Sequence, residues 1–135
     1  MSSYDIFSAA ETNDWKRIKY LLDNGHDVNE GDFDRNATPL HLACAKGNLE
    51  TIELLIDYGA DPNARNKYGR TPIHHLVLNR YDKIAIWLIK HHNADPFIPN
   101  KKGVSAFDLA IKWLQDQLQD AYDTRGELES DSSDS

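Results

Sequence analysis

The hexapeptide Thr38-Pro39-Leu40-His41-Leu42-Ala43 returns 33 residues later as Thr71-Pro72-Ile73-His74, and 34 further on as the weaker echo Ser105-Ala106-Phe107-Asp108. A second series runs through the gaps: Gly25-His26-Asp27-Val28-Asn29, Gly59-Ala60-Asp61-Pro62-Asn63 and Asn93-Ala94-Asp95-Pro96, spaced by 34 both times. Two interleaved motifs with a common period mark a chain built from stacked copies of one supersecondary unit. The local chemistry of that unit is helical. Thr38 and Thr71 can cap a helix whose first position is Pro39 or Pro72, where no N–H is needed. An amphipathic run follows, LHLACAKG, and Gly47 can end it. Leu49, Ile52, Leu55 and Ile56 then recur at helical spacing up to Gly59, so a second helix packs on the first. Between units lie Asn29–Asn36, Asn63–Gly69 and Pro96–Gly103, polar and turn-rich, each ending on a residue suited to a left-handed conformation.

This pattern resembles the ankyrin repeat family, through the 33-residue period, the TPLHxA motif in Thr38–Ala43 and the GADxN motif in Gly59–Asn63, over roughly residues 4–115. The resemblance implies an all-α solenoid of stacked helix-turn-helix units with protruding β-turn fingers. It also implies a non-enzymatic protein–protein interaction module: an adaptor, inhibitor or scaffold. The repeat domain is expected over residues 1–122, in units of about 4–32, 33–65, 66–99 and 100–122. The first unit has Tyr4-Asp5-Ile6-Phe7 in place of the Thr-Pro motif and interleaves Lys16, Arg17 and Lys19 with Trp15, Ile18 and Leu21, the mark of a capping repeat. The last has a first helix drawn through Phe107, Leu109, Ala110, Ile111 and Leu114. Its apolar pattern then thins to Leu118, Ala121 and Tyr122 without a glycine to turn the chain, so its second helix is expected to be incomplete or merged with the first. Trp15, Trp87, Leu88 and Ile89 read as core on second helices. The third unit departs most: Arg80 stands where Gly47 is in the second, and Lys90-His91-His92-Asn93 carries one residue more than Asp57-Tyr58-Gly59. The first finger, GDFDRNA, is also a residue longer.

Charge is distributed unevenly along the 135 residues and their net −7. Residues 1–37 carry −4, 38–70 carry 0, 71–115 carry +3 and 116–135 carry −6. The acidity is mostly an end segment, DTRGELESDSSDS, with Leu128 its single large aliphatic residue, and residues 123–135 are expected to be a disordered acidic tail. A nearly neutral body disfavours nucleic acid, and no apolar stretch is long enough to span a bilayer, so the expected partner is another protein and not a membrane. One cysteine and no secretory signal at the start fit a reducing compartment, cytoplasmic or nuclear. A monomer is expected outside a hetero-complex.

Catalytic chemistry is not apparent in the chain. Its glycines sit at repeat turns and not in a phosphate-cradling loop, Ser8 and Ser105 lack a nucleophile-elbow context, and Cys44 falls at a packed alanine position. Adjacent residues on a helix project about 100° apart, so His74-His75 and His91-His92 cannot chelate as an i, i+4 pair would. No enzyme, metal or cofactor is expected.

In the family the partner meets the finger tips and the exposed side of the first helices. Carried onto this sequence, the finger candidates are Phe33, Asp34 and Arg35; Arg65, Lys67, Tyr68 and Arg70; then Lys101, Lys102 and Val104. The groove candidates are Glu11, Thr12, Ala45, Lys46, Leu78, Asn79, Lys112 and Trp113. The surface runs from acidic at the first finger to basic at the second and third, with Tyr68 and Trp113 as amphipathic anchors. The resemblance further implies that His41 and His74 hydrogen-bond neighbouring turns. Asn29 and Asn63 match the asparagine that is hydroxylated in some ankyrin repeats, with a structural hydrogen bond as the other reading of both. Ser130, Ser132, Ser133 and Ser135 lie in a setting suited to an acidophilic kinase. The tail could fold back over Arg65, Lys67, Lys101 and Lys102. The alternative function is a chaperone whose tail shields a basic client.

Overall fold

Residues 5–126 are described by the computed structural model, and their helices pair off unit by unit: α1 (Ile6–Glu11) with α2 (Trp15–Asp23), α3 (Pro39–Lys46) with α4 (Leu49–Asp57), α5 (Pro72–Leu78) with α6 (Asp82–His92), and α7 (Ala106–Leu109) with α8 (Lys112–Asp123). The odd-numbered helices stack on one another as an inner row, and in the outer row α2 packs on α4 and α6 on α8. The inner helices α1, α3 and α7 start on a capping side chain. Asp5 Oδ1 accepts from the Ser8 N–H at 2.9 Å, Thr38 Oγ1 from that of His41 at 3.3 Å, and Ser105 Oγ from that of Asp108 at 3.1 Å. The units that depart from Thr-Pro-Leu-His thus keep the cap with other atoms. Gly47 ends α3 at φ 67°, where an added β-carbon would come within 2.5 Å of the Tyr81 ring. One period away Asn13 (φ 59°) and Arg80 (φ 61°) hold the same left-handed turn with side chains, and Arg80 sets its guanidinium on Asp82 at 2.7 and 3.1 Å.

The motif residues spend their polar atoms on the next unit. The Thr38 N–H donates to His41 Nδ1 at 3.1 Å, which leaves the proton on Nε2 to donate to the Arg70 carbonyl at 2.8 Å. His74 repeats this with Thr71 (2.9 Å) and the Val104 carbonyl (3.0 Å). Asn29 accepts from the Asp61 N–H at 2.7 Å and donates to the Gly59 carbonyl, and Asn63 does the same to Asp95 (2.8 Å) and Asn93. Fingers are joined by their backbones, Lys67 N–H to Arg35 O at 2.7 Å and Lys101 N–H to Tyr68 O at 3.0 Å. Beneath these ties Ile6, Ile18, Leu40, Ile52, Leu55, Ile73, Leu76, Leu88, Ile89, Leu114 and Leu118 are fully buried. Leu88 and Ile89 are core as expected, but Trp87 is only half-buried and Trp15 is 39% exposed. Both rings lie at the rim of the outer row.

The fourth unit reverses its expected form. Its first helix has four residues, and Ala110 and Ile111 are extended (ψ 145° and 161°), so it stops short of Leu114. The second helix, by contrast, is complete and has 12 residues, the longest of those described. Leu114, Leu118 and Ala121, at i, i+4 and i+7, make a buried stripe sufficient to seat α8 on α6. The stripe is narrow, and a pattern read by density alone passes over it. A glycine does turn the chain: Gly126 takes φ 78° and donates to the Lys90 carbonyl at 3.2 Å. The boundary drawn between 122 and 123 therefore falls inside α8, which ends at Asp123. Residues 127–135, with Ser130, Ser132, Ser133 and Ser135 and the expected tail contacts, lie outside the described residues, as do 1–4.

Candidate partner-binding surface

Each finger is organised by one side chain that folds the loop onto itself. Asp32 Oδ1 accepts from the Arg35 and Ala37 N–H groups (2.9 and 3.2 Å), Asn66 Oδ1 from Tyr68 and Arg70 (2.9 and 3.1 Å), and Asn100 Oδ1 from Lys102 and Val104 (2.9 and 3.0 Å). These three residues follow the 34-residue spacing and were legible in the sequence, where they went unread. By satisfying the loop's own N–H groups they free its side chains to point outward.

Two clefts open between the fingers and the inner helices. The first, about 520 Å³, is bordered by the carboxylates of Asp5, Glu11, Glu30, Asp32 and Asp34, with Phe7 and Leu42 as apolar wall and Phe33 wholly exposed at its edge. The second, about 260 Å³, is bordered by Arg35, Lys46 and Arg70, with Tyr68, Ala45 and His75. Glu11, Arg35 and Leu42 line both, so the two form one groove whose sign changes along its length. The Tyr68 ring lies 5.3 Å from the Arg70 guanidinium and 5.9 Å from the Lys67 ammonium, within cation–π range. Burial, and then the neighbouring His41, Arg70 and His74, push the His75 imidazole down to about 4. It therefore faces the cleft neutral at physiological pH.

The candidate residues named from sequence divide between this groove and other places. Phe33, Asp34, Arg35, Lys46, Tyr68 and Arg70 line it, together with Glu11 and Ala45. Arg65 instead braces two fingers, donating to the Pro99 carbonyl at 2.9 Å and the Gly69 carbonyl at 3.2 Å. Asn79 ties α5 to the end of α3 through the Ala45 carbonyl at 3.3 Å. Lys67, Lys101 and Lys102 are exposed on the second and third fingers, and Leu78 is exposed at the end of α5. Lys112 and Trp113 are not on an inner helix at all. Because α7 stops early they open α8, where Lys112 pairs with Asp116 at 2.6 Å and Trp113 is 56% exposed. Asp5, Phe7, Glu30, Leu42 and His75 enter the groove without having been singled out. They belong to three units, and no spacing within one unit brings them together.

Cys44 is fully buried and burial pushes its thiol up, away from the reactive thiolate. Among the described residues no helix is long and apolar enough to cross a membrane.

The family model for ankyrin repeats in three copies matches residues 6–100. The chain is 31% identical over 127 residues to mouse (Mus musculus) Rabankyrin-5, covering 86% of this chain and 11% of that protein. It is 33% identical over 106 residues to human (Homo sapiens) BCL-6 corepressor-like protein 1, covering 74% and 6%. It is 33% identical over 94 residues to the probable 26S proteasome regulatory subunit p28 of Saccharomyces cerevisiae, covering 69% and 41%. The chain thus spans about a tenth or less of the first two relatives' length and under half of the third. Ankyrin repeats generally mediate protein–protein interactions, and domains built of them are typically non-catalytic. With its paired helices, its 33- and 34-residue period and that match over most of its length, the chain belongs to the ankyrin repeat family.

Proposed function

We propose that this chain is a non-enzymatic adaptor or scaffold module that holds an extended segment of a partner protein along the groove between the first two fingers and α1, α3 and α5. The observation that carries the reading is the change of sign around an exposed aromatic: carboxylates surround Phe33 at one end, and Arg35, Lys46 and Arg70 stand at the other. The segment that complements it carries Lys or Arg at the first-finger end, an apolar residue against Phe33 and Leu42, and Asp or Glu near Arg70. Charge order of this kind selects the partner and its direction more than it adds affinity. Affinity comes from burying Phe33 and Tyr68, and full burial of one such ring is worth about 1.5–3 kcal/mol, roughly tenfold or more.

A photo-crosslinking residue at position 33 identifies the partner, and its affinity is then measured by fluorescence anisotropy. Phe33→Ala and Arg70→Glu each weaken it tenfold or more while the unfolding midpoint stays put, and Trp113→Ala leaves it unchanged. A loss confined to Trp113→Ala would refute the groove as the site.

A further inference from the structure

The outer row of helices has a feature for which the concave groove has no use. Between α4 and α6 a cleft of about 160 Å³ opens, lined by Leu49, Glu53, Lys83, Ile84 and Trp87. A second, about 260 Å³, continues along α6 past the same tryptophan to Ile86, Lys90 and His91. Outer helices of a stack face water, and their outward positions are ordinarily polar. Here Leu49 is 40% exposed, and Ile84, Ile86 and Trp87 are only half-buried. The neighbouring outer helices set isolated exposed rings among polar residues instead: α2 exposes Trp15 and Tyr20 together with Lys16 and Lys19, and α8 exposes Trp113 together with Asp116, Gln119 and Asp120. His92 meets the Trp87 ring edge-on, centroids 4.5 Å apart, and so holds the indole in one orientation. The residue by which the third unit exceeds the second falls at the end of this helix, and α6 runs two residues longer than α4, 11 against nine.

We propose that this convex groove docks an acidic amphipathic helix of a partner protein, as a second surface independent of the concave one. Charge and geometry both point to that occupant. Lys83, Lys90 and His91 border the two clefts and Glu53 is the one acid among their lining residues, so the complementary flank is Asp or Glu. The walls are helices whose backbone groups bond internally, so they present no strand edge to an extended peptide. A helix laid between two helices fits by ridge and groove, through apolar anchors at i, i+3, i+4 and i+7. The lining residues run from Lys83 to His91 along α6, about 12 Å at 1.5 Å per residue, which accommodates about two turns of the guest.

The test uses two synthetic 16-residue helices with the same leucine stripe, one flanked by Glu and one by Lys, titrated into the full chain. The Glu-flanked helix shifts the Trp87 indole N–H resonance and binds at least tenfold more tightly than the Lys-flanked one. The Lys83→Glu/Lys90→Glu variant, altered only at surface cations, reverses that preference, and Phe33→Ala leaves it intact. Equal binding of both helices, no binding of either, or shifts at Phe33 and Tyr68 in place of Trp87 would overturn the proposal. Only the last of these outcomes bears on the concave groove, whose own test is the Phe33 series.

Discussion

Acidification from pH 7.5 to 5.5 costs this protein stability through His75, by an amount that follows from the surroundings of the ring. His75 stands on α5 with its imidazole edge-on to that of His41, centroids 5.8 Å apart. Burial foremost, with His41, Arg70, His74 and Arg35 nearby, lowers it from the ordinary 6.5 to about 4. The unfolded chain takes up this proton near pH 6.5, and the folded chain does so only near 4. A depressed folded value means that stability is complete above the unfolded value and is lost as pH falls toward the folded one. Between pH 7.5 and 5.5 the loss from this one side chain is about 1.3 kcal/mol. Carboxylates of ordinary acidity stay ionised across that window and contribute little. His41 and His74 are lowered as well, by burial first, and add to the wild-type loss. Urea unfolding at the two pH values, for wild type and for His75→Gln, isolates the term: the variant's loss is smaller by about 1.3 kcal/mol. Equal losses, or an imidazole of His75 that titrates near 6.5 by NMR, would refute the reasoning.

Three further outcomes follow from the packing. His41→Ala strips the Arg70 carbonyl and the Thr38 N–H of a buried partner and lowers the unfolding free energy by about 1–3 kcal/mol in urea. Gly47→Ala forces a left-handed residue against the Tyr81 ring and costs at least the 1–2 kcal/mol or so of that conformation, read as a lower thermal midpoint. Leu118→Ala, in the buried stripe of α8, costs about 2–5 kcal/mol. Trp113→Ala, one turn earlier but exposed, stays within about 0.5 kcal/mol. The reverse ranking of these two by denaturant unfolding would place Trp113 in the core of the last unit.

The units were readable because each solves its folding problem with local atoms. Thr38, Pro39 and His41 cap and start a helix within four residues, and Asn29 and Asn63 each bond across one unit boundary. Such chemistry recurs in the sequence wherever it recurs in the fold. The fourth unit was misread because its helix assignment rests on α6, a remote helix that offers a surface to Leu114 and Leu118. Seen alone, the run from Phe107 to Leu114 looks like one helix, and nothing near it in the chain says that Ala110 and Ile111 must extend. Lys112 and Trp113 followed that error onto the wrong row.

A period of 33 or 34 residues states that one local arrangement is repeated, and caps, turns and apolar stripes suffice to say what it is: an ankyrin stack. The groove is of another kind. Asp5, Glu11, Phe33, Lys46, Arg70 and His75 stand together because three units close on one another, each through carbonyl, imidazole and amide bonds to the next. The cleft beside Trp87 exists because α4 and α6 leave space between them. Neither surface could be read along the chain, since its members are set by packing between helices that the chain keeps more than 20 residues apart.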